Sequence, residues 1–389
     1  MIRIALVVEA MRDGERQHVC DIVRNLNREK YKIYLIYSEV AANPVFKGER
    51  EELKSYAKLI ECNSMVRSLG TKDFKAYKEL VRILRNIKSD IVHCHSSKAG
   101  IVGRLATKKV GVKRIIYTPN AYAFQNAQIS GFKRWIYIEA EKFLSHHATD
   151  MTISVSKGEM NEALKYKIDR PEIFTLIYNA IPDIKLPSKE EARKRLGLKD
   201  HIKHVGVTAR CSQQKNPFEF LSIAERIVKE KSDVEFVYIG DGDYYQDMQK
   251  WIEERGLFGK IHMLGYRSDA AEVVCAFDVY LSTALFEGLT YSVIEAMRAG
   301  VPIVASNVVG NNELVEDGVN GWLYELGDVD GALEKILSKV DKIKSEDVYR
   351  IYSKKFSIYR MIEKLECMYG LTYIHKDNKA YKIIYHRER

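Results

Sequence analysis

The sequence lacks several features that would assign it to a class directly. None of its apolar runs approaches the roughly 20 residues that a membrane-spanning helix requires, and the mean hydropathy is −0.28. Its six cysteines are scattered without a CxxC pair, which argues against a zinc ribbon or a dithiol redox motif. Neither a secretory signal pattern nor a nucleic-acid-binding signature is present. We therefore expect a cytoplasmic protein with reduced cysteines and no nucleic-acid partner.

Positive charge is in excess, with a formal net charge of +9 at pH 7. Such a surface attracts anions, among them nucleotide phosphates and anionic lipid headgroups. A lysine-rich, solvated surface explains the excess equally well. The basic C-terminal stretch Lys376–Arg389 also has two interpretations, contact with a membrane surface or a frayed end.

Strand-like and helical patterns alternate along two stretches of the chain, which predicts an α/β fold with two doubly wound domains. The first alternation begins at the strand Ile2–Val8, and the second begins at the strand His204–Thr208. Between them the charged run Lys189–Arg195 indicates a linker. We assign residues 1–183 to an N-terminal domain and 184–355 to a C-terminal domain, and expect the segment from about 356 to 389 to pack back on the first. Ligands of open α/β sheets bind at the carboxyl ends of the strands, so we expect the two domains to face a central cleft.

The stretch from Ser282 to Gly321 is the most informative part of the sequence. Gly288 permits a tight turn after a strand, and a helix is predicted to begin near Thr290. The backbone N–H groups of Gly288, Leu289, Thr290 and Tyr291 would then be free to bind a diphosphate at the positive end of the helix dipole. Glu287 precedes this turn and Glu295 follows it in the helix, where carboxylates can accept hydrogen bonds from sugar hydroxyls.

These residues resemble the signature of retaining GT-B glycosyltransferases of family four. The resemblance rests on Glu287, seven intervening residues and Glu295, followed by GVPIVAS and DGVNGWLY. It implies a GT-B fold of two Rossmann-like domains, with Glu287 binding the transferred sugar and Glu295 the ribose. Leu289, Thr290 and Tyr291 differ from the usual F-G-L of the family, so the donor sugar stays open.

Other parts of the second half carry the resemblance further. Arg210 and Lys215 follow a predicted strand, where two cations can neutralise a departing diphosphate, and the family has a matching pair. Gly240, Asp241 and Gly242 resemble a turn of the family, which implies that Gly240 contributes to donor binding. Asp243 follows, but we prefer this turn to a metal-binding Asp-x-Asp. The position of Arg267 implies a contact with the nucleobase.

The N-terminal half is expected to hold the acceptor. Gly14 stands in a segment similar to the family's glycine-rich loop, although it has one glycine where two are typical. His95 ends a predicted strand and would face the cleft, with Lys98 at the next helix start, in a segment similar to capsule and exopolysaccharide transferases. Asn120 stands where related enzymes often have a histidine, and an amide cannot titrate.

The resemblance predicts a retaining hexosyltransferase of bacterial cell-surface polysaccharide biosynthesis. A hexose or N-acetylhexosamine would move from a nucleotide sugar, a UDP-sugar, to a glycan or lipid-linked oligosaccharide acceptor. The nucleotide sugar is a co-substrate, and no other cofactor and no metal ion are expected. Peripheral contact with the anionic inner face of the cell membrane is expected as well.

Two alternatives stay open, a sugar-nucleotide epimerase of the same fold and a non-catalytic subunit that binds nucleotide sugars. A dinucleotide-dependent oxidoreductase is disfavoured because no G-x-G-x-x-G follows the first strand.

Overall fold

The computed structural model of the chain describes residues 1–66, 70, 72–125 and 129–370. The described residues divide into two compact units, the first comprising Met1–Asn179 with residues 358–370, and the second Ala180–Ser357. The boundaries between the units lie at residues 179/180 and 357/358, whereas the sequence predicted boundaries at 183/184 and 355/356. The predicted basic stretch Lys376–Arg389 lies outside the described residues.

Within the described residues, the first unit has a sheet of seven parallel strands in the order β3-β2-β1-β4-β5-β6-β7. The strands are β1 (Ile2–Ala10), β2 (Tyr31–Ser38), β3 (Lys58–Glu61), β4 (Ile91–His95), β5 (Arg114–Thr118), β6 (Met151–Ser154) and β7 (Phe174–Leu176). The central strand β1 contains a continuous apolar run, and its residues 4–8 have no exposed surface. Burial on both faces is typical of parallel sheets that helices cover on both sides.

Helices connect these strands and one further helix joins the unit from the end of the chain. The connecting helices are α1 (Asp13–Asn25), α2 (Pro44–Leu53), α3 (Lys72–Ile87), α4 (Ser97–Val110), α5 (Gly131–Ala148) and α6 (Lys157–Lys165). The last helix, Ile358–Gly370, is anchored to the first unit, since Arg114 donates to the carbonyls of Met368 and Tyr369 at 2.8 Å and Glu366 accepts the Asn27 N–H at 3.0 Å.

The second unit repeats the architecture. Across its described residues, six parallel strands run in the order β10-β9-β8-β11-β12-β13. They are β8 (Lys203–Thr208), β9 (Val234–Ile239), β10 (Ile261–Met263), β11 (Val279–Ser282), β12 (Ile303–Ser306) and β13 (Gly321–Tyr324). The helices are α7 (Lys189–Leu196), α8 (Pro217–Glu230), α9 (Tyr245–Glu254), α10 (Ala270–Val273), α11 (Tyr291–Arg298), α12 (Asn311–Leu314), α13 (Val329–Glu334) and α14 (Ser345–Ile351), which makes the C-terminal helix α15.

The charged run expected to form a linker is helix α7 of the second unit instead. Ser188 caps it by accepting the Glu191 N–H at 3.2 Å, and Gly197 ends it in the left-handed conformation. Arg193 donates to Asp278 at 2.7 Å and to the carbonyl of Ala276 at 3.1 Å. Arg193 of this run therefore binds the segment that precedes β11, while Glu190, Glu191, Lys194 and Arg195 are exposed.

Candidate active site

The loop between β11 and α11 carries most of the predicted donor-binding residues. Helix α11 begins at Tyr291, with Thr290 in the N-cap position. In the described part of the chain, the backbone N–H groups of Gly288, Leu289 and Thr290 have no protein acceptor, and neither has the buried Thr290 hydroxyl. The loop therefore offers unsatisfied donors at the positive end of a helix, as an anion site requires.

Glu287 and Lys215 form an ion pair between Lys215 Nζ and Glu287 Oε1. The Glu287 side chain is only 7% exposed, and Lys215 is half-buried. Gln214 Nε2 donates to the carbonyl of Phe286 at 3.0 Å and approaches Glu287 Oε2 at 3.4 Å. Two predicted catalytic residues from distant loops are thus in direct contact, and each compensates the charge that the other brings into the fold.

Gly310 fixes the backbone around Glu287. Val309 accepts the Glu287 N–H at 3.0 Å, which brings the two loops together. A Cβ on Gly310 would lie 2.6 Å from Glu287 Cβ and 2.8 Å from the carbonyl oxygens of Glu287 and Gly288. Gly310 also has a φ of +94°, so both space and conformation require glycine there.

Glu295 lies in helix α11 and is half-buried. Desolvation raises the pKa of its carboxyl, while the nearby Arg298 acts in the opposite direction. Among the residues that the structure describes, no side-chain hydrogen bond or ion pair engages this carboxylate. It is therefore an acceptor whose partner must come from outside the fold, as expected of a residue that binds hydroxyl groups.

Arg210 and Gly240 lie in adjoining turns. Cys211, next to Arg210, donates its N–H to the carbonyl of Asp241 at 2.9 Å. A Cβ on Gly240 would lie 1.8 Å from the carbonyl oxygen of Ala209, which leaves no room for a side chain. The turn of Gly240 therefore packs directly against the segment that presents the exposed Arg210.

Arg267, the predicted nucleobase contact, is already paired. Its guanidinium donates two hydrogen bonds of 2.9 Å to the Asp269 carboxylate. This bidentate pair holds the arginine in one orientation, and a ligand would have to bind beside the pair or open it.

The predicted acceptor residues lie in the first unit. Gly14 is the second residue of α1, and Asn120 follows β5 with a φ of +51°. Lys98 is buried and pairs with Asp73. His95 ends β4 as predicted but is fully buried, and burial and the neighbouring histidines lower its pKa well below the usual value.

His95 belongs to a cluster of three buried histidines that the sequence pattern did not reveal. The ring of His93 lies 4.0 Å from that of His95, and the ring of His18 lies 5.5 Å from it. His93 is hydrogen-bonded to the hydroxyls of Tyr369 at 2.8 Å and Thr118 at 2.7 Å. The alternation of His93 and His95 along β4 was visible, but the approach of His18 from α1 required the fold.

Two features are absent from the part of the chain that the structure describes. The described residues contain no group of three or more histidine, cysteine, aspartate or glutamate side chains arranged to hold a metal ion. None of the described helices is long and apolar enough to cross a membrane.

Comparisons with known proteins place the chain in a family. The model described as "Glycosyl transferases group 1" matches residues 188–356, and that described as "Glycosyltransferase Family 4" matches residues 12–183. UDP-Gal:alpha-D-GlcNAc-diphosphoundecaprenol alpha-1,3-galactosyltransferase of Escherichia coli is 30% identical over 314 residues, which cover 77% of this chain and 79% of that protein. The chain belongs to glycosyltransferase family 4.

Other similarities agree with this assignment. This glycosyltransferase is 26% identical over 321 residues to the putative glycosyltransferase EpsD of Bacillus subtilis, covering 78% of this chain and 82% of EpsD. The crystal structure of HepE from Anabaena in complex with UDP and glucose superposes with a TM-score of 0.76, at 20% identity, over 95% of this chain and 100% of HepE. The predicted GT-B class with two Rossmann-like domains is confirmed, and the chain is a glycosyltransferase of glycan biosynthesis.

Proposed function

We propose that this glycosyltransferase moves a hexose or N-acetylhexosamine from a UDP-sugar to a lipid-linked glycan, with retention, in bacterial cell-surface polysaccharide biosynthesis. The Lys215–Glu287 pair beside the unsatisfied N–H groups of the α11 loop carries the proposal. Lys215 and the backbone N–H groups can bind a diphosphate, and the Glu287 carboxylate can accept hydrogen bonds from sugar hydroxyls. The UDP-Gal donor and diphosphoundecaprenol acceptor in the name of the Escherichia coli relative support the UDP-sugar and the lipid diphosphate, and the HepE complexes support the UDP.

The proposed chemistry needs no nucleophile from the enzyme. The bond between the sugar C1 and the β-phosphate oxygen breaks, and its electron pair stays on the departing UDP. The acceptor hydroxyl attacks C1 from the face that the phosphate leaves, and its proton passes to the phosphate oxygen. Arg210, Lys215 and the N–H groups of Leu289 and Thr290 stabilise the negative charge that grows on the diphosphate. Glu287 would hold the sugar, and Glu295 the ribose.

We also propose that transfer requires no metal ion, because two cations and a helix N-terminus suffice to compensate the diphosphate charge. Transfer in excess EDTA should therefore match transfer in Mg²⁺. Loss of activity in EDTA that Mg²⁺ restores would contradict this part of the proposal.

For the acceptor we propose the first domain. Gly14 lies in the first turn of α1, which follows β1, and Asn120 lies in the loop that follows β5. His95 pairs with Thr118 in the sheet, two residues before Asn120. Buried His95 and the paired Lys98 would support the strand ends that carry these loops. The departure from histidine at Asn120 means that no titratable group acts at this position.

The test is a transfer assay with a panel of UDP-sugars and a GlcNAc-diphospholipid acceptor, with the anomeric configuration of the product read by NMR. We expect an α-linked product from an α-linked donor, and a fall in kcat of about 10²-fold for Glu287→Gln with an unchanged fold. Inversion would overturn the mechanism. If the nucleotide sugar were converted to a different one in the absence of acceptor, the epimerase would be favoured. Binding of the nucleotide sugar without turnover would favour the non-catalytic subunit.

Peripheral membrane contact is part of the proposal, and the exposed face of α5 would provide it. Phe132, Trp135, Ile136 and Phe143 are 70%, 58%, 42% and 57% exposed. At 3.6 residues per turn, Phe132, Ile136 and Phe143 lie within about 40° of one another around the helix. Lys133 and Lys142 flank them, and the protein carries a net charge of +9. Glu139 lies on the same face and is paired with Lys142 at 2.8 Å, so the stripe is apolar apart from one compensated carboxylate. Such a face with Lys133 at its edge fits an anionic bilayer surface.

Vesicle sedimentation tests this surface. Wild type should sediment with phosphatidylethanolamine–phosphatidylglycerol vesicles and less with pure phosphatidylcholine, and Phe132→Ser/Trp135→Ser should weaken sedimentation. Phe258→Ser is the matched control, since Phe258 is an exposed aromatic residue of the second unit. Equal sedimentation of both variants and wild type would refute α5 as the membrane-binding surface. A concentration-dependent dimer that forms through this face would show that it binds a second copy of the chain instead.

A further inference from the structure

The orientation of Lys215 depends on how its backbone is held. Lys215 ends a short 3-10 turn, Gln213–Lys215, and the next residue, Asn216, has a φ of +49° in the left-handed region. The Gln214 carbonyl accepts the Leu285 N–H at 2.9 Å, which joins this turn to the loop that bears Glu287. A flexible lysine can act at one position only if this turn is fixed.

Thr283 fixes the turn from one side. Its buried hydroxyl lies 3.0 Å from the carbonyl oxygen of Lys215 and 3.0 Å from that of Asn216, and donates to this pair of carbonyls. Thr283 lies four residues before Glu287, so a single loop holds both the backbone of the lysine and the carboxylate that pairs with it.

Glu219 fixes the turn from the other side. Its Oε2 accepts a hydrogen bond from Asn216 Nδ2 at 2.6 Å. Its Oε1 accepts from the Tyr324 hydroxyl at 2.9 Å and from the Gly327 N–H at 3.2 Å. Burial and the Glu219 carboxylate raise the pKa of Tyr324, so its hydroxyl remains a donor throughout the working pH range. Glu219 lies in the first turn of α8, where the helix dipole also favours a carboxylate.

We infer that Glu219, through Asn216, and Thr283, through the carbonyls of Lys215 and Asn216, are positioning residues that hold the Lys215 ammonium where the leaving diphosphate develops charge. The inference rests on the proposed role of Lys215. Neither residue needs to touch the substrate. Their effect is indirect, because a displaced ammonium would stabilise the transition state less than a fixed one.

The test compares Glu219→Ala and Thr283→Val in two backgrounds, wild type and Lys215→Ala, in the transfer assay. In the wild-type background each should lower kcat by about 10-fold to 10²-fold with a smaller change in KM for the donor. In the Lys215→Ala background each should have almost no further effect, because a residue that acts through Lys215 has nothing left to position. Asn216→Gly keeps the left-handed conformation but loses the amide, and should reproduce Glu219→Ala without adding to it.

Glu225→Ala is the control, since Glu225 lies in the same helix but binds Lys229 and Arg255 at the surface. It should leave kcat unchanged. If Glu219→Ala lowered kcat by the same factor in the wild-type and Lys215→Ala backgrounds, the inference would be overturned and Glu219 would have a merely structural role. A normal kcat for Asn216→Gly would overturn it as well. Unchanged transfer by Lys215→Ala alone would instead overturn the proposed function of Lys215, so the two failures are distinguishable. Thermal unfolding of each variant shows whether it remains folded at the assay temperature.

Discussion

Replacing Gly310 by alanine should separate the geometry of the Glu287 loop from the stability of the domain. The new Cβ would lie 2.6 Å from Glu287 Cβ. Ordinary carbon contacts begin near 3.4 Å, so the two loops must separate by about 0.8 Å. A displacement of this size at a catalytic carboxylate is expected to lower kcat by about 10²-fold. The left-handed backbone adds a stability cost of about 1–2 kcal/mol.

Gly318→Ala is the matched control for this prediction. Gly318 also has a positive φ, +74°, but its added Cβ would meet nothing closer than 3.5 Å. Both variants should therefore lose stability in thermal unfolding, and only Gly310→Ala should lose turnover. If Gly310→Ala kept kcat within about twofold of wild type, the argument that this glycine sets the position of Glu287 would be refuted.

Three further predictions concern stability. The raised pKa of Glu295 means that ionisation of its carboxyl opposes folding. Glu295→Gln should therefore be more stable than wild type at pH values where the carboxyl is ionised, and equally stable at low pH. A difference in Tm that does not change with pH would contradict this. Burial lowers the pKa of His18 to about 4, so wild type should lose stability as pH falls from about 6.5 towards 4. The Tm of His18→Phe should fall less steeply over this range. An equally steep fall would show that His18 titrates normally in the folded protein. Gly206→Ala would place a Cβ 2.4 Å from the Phe277 ring and should cost about 1–3 kcal/mol in denaturant unfolding, whereas an unchanged midpoint would show that the ring can move aside.

The sequence predicted the parallel strands well where apolar runs are continuous, and failed where the signal is tertiary. Strands β3, β7 and β13 were not predicted, because each is an edge strand of only three or four residues and is too short for a recognisable pattern. Helix α7 was mistaken for a linker because its charged residues find partners such as Asp278 far along the chain. Amphipathic patterns cannot report such partners.

In the candidate site, too, the sequence predicted the local features but not the tertiary contacts. The turn at Gly288 and the start of a helix at Thr290 are local, and the sequence predicted both. The contact between Lys215 and Glu287 joins positions 72 residues apart, and depends on loop conformations that no local pattern encodes. The Arg267–Asp269 pair spans two residues, yet the choice between a ligand contact and a local ion pair required coordinates.

The return of helix α15 to the first unit has a consequence for biosynthesis. Domains usually fold in order as the chain emerges from the ribosome. Here the hydroxyl that bonds His93 belongs to Tyr369, which is translated only after all of the second unit. Until residue 369 has been made, the first sheet therefore has an imidazole in its interior that lacks one hydrogen-bond partner. The domain that begins first is completed after the second.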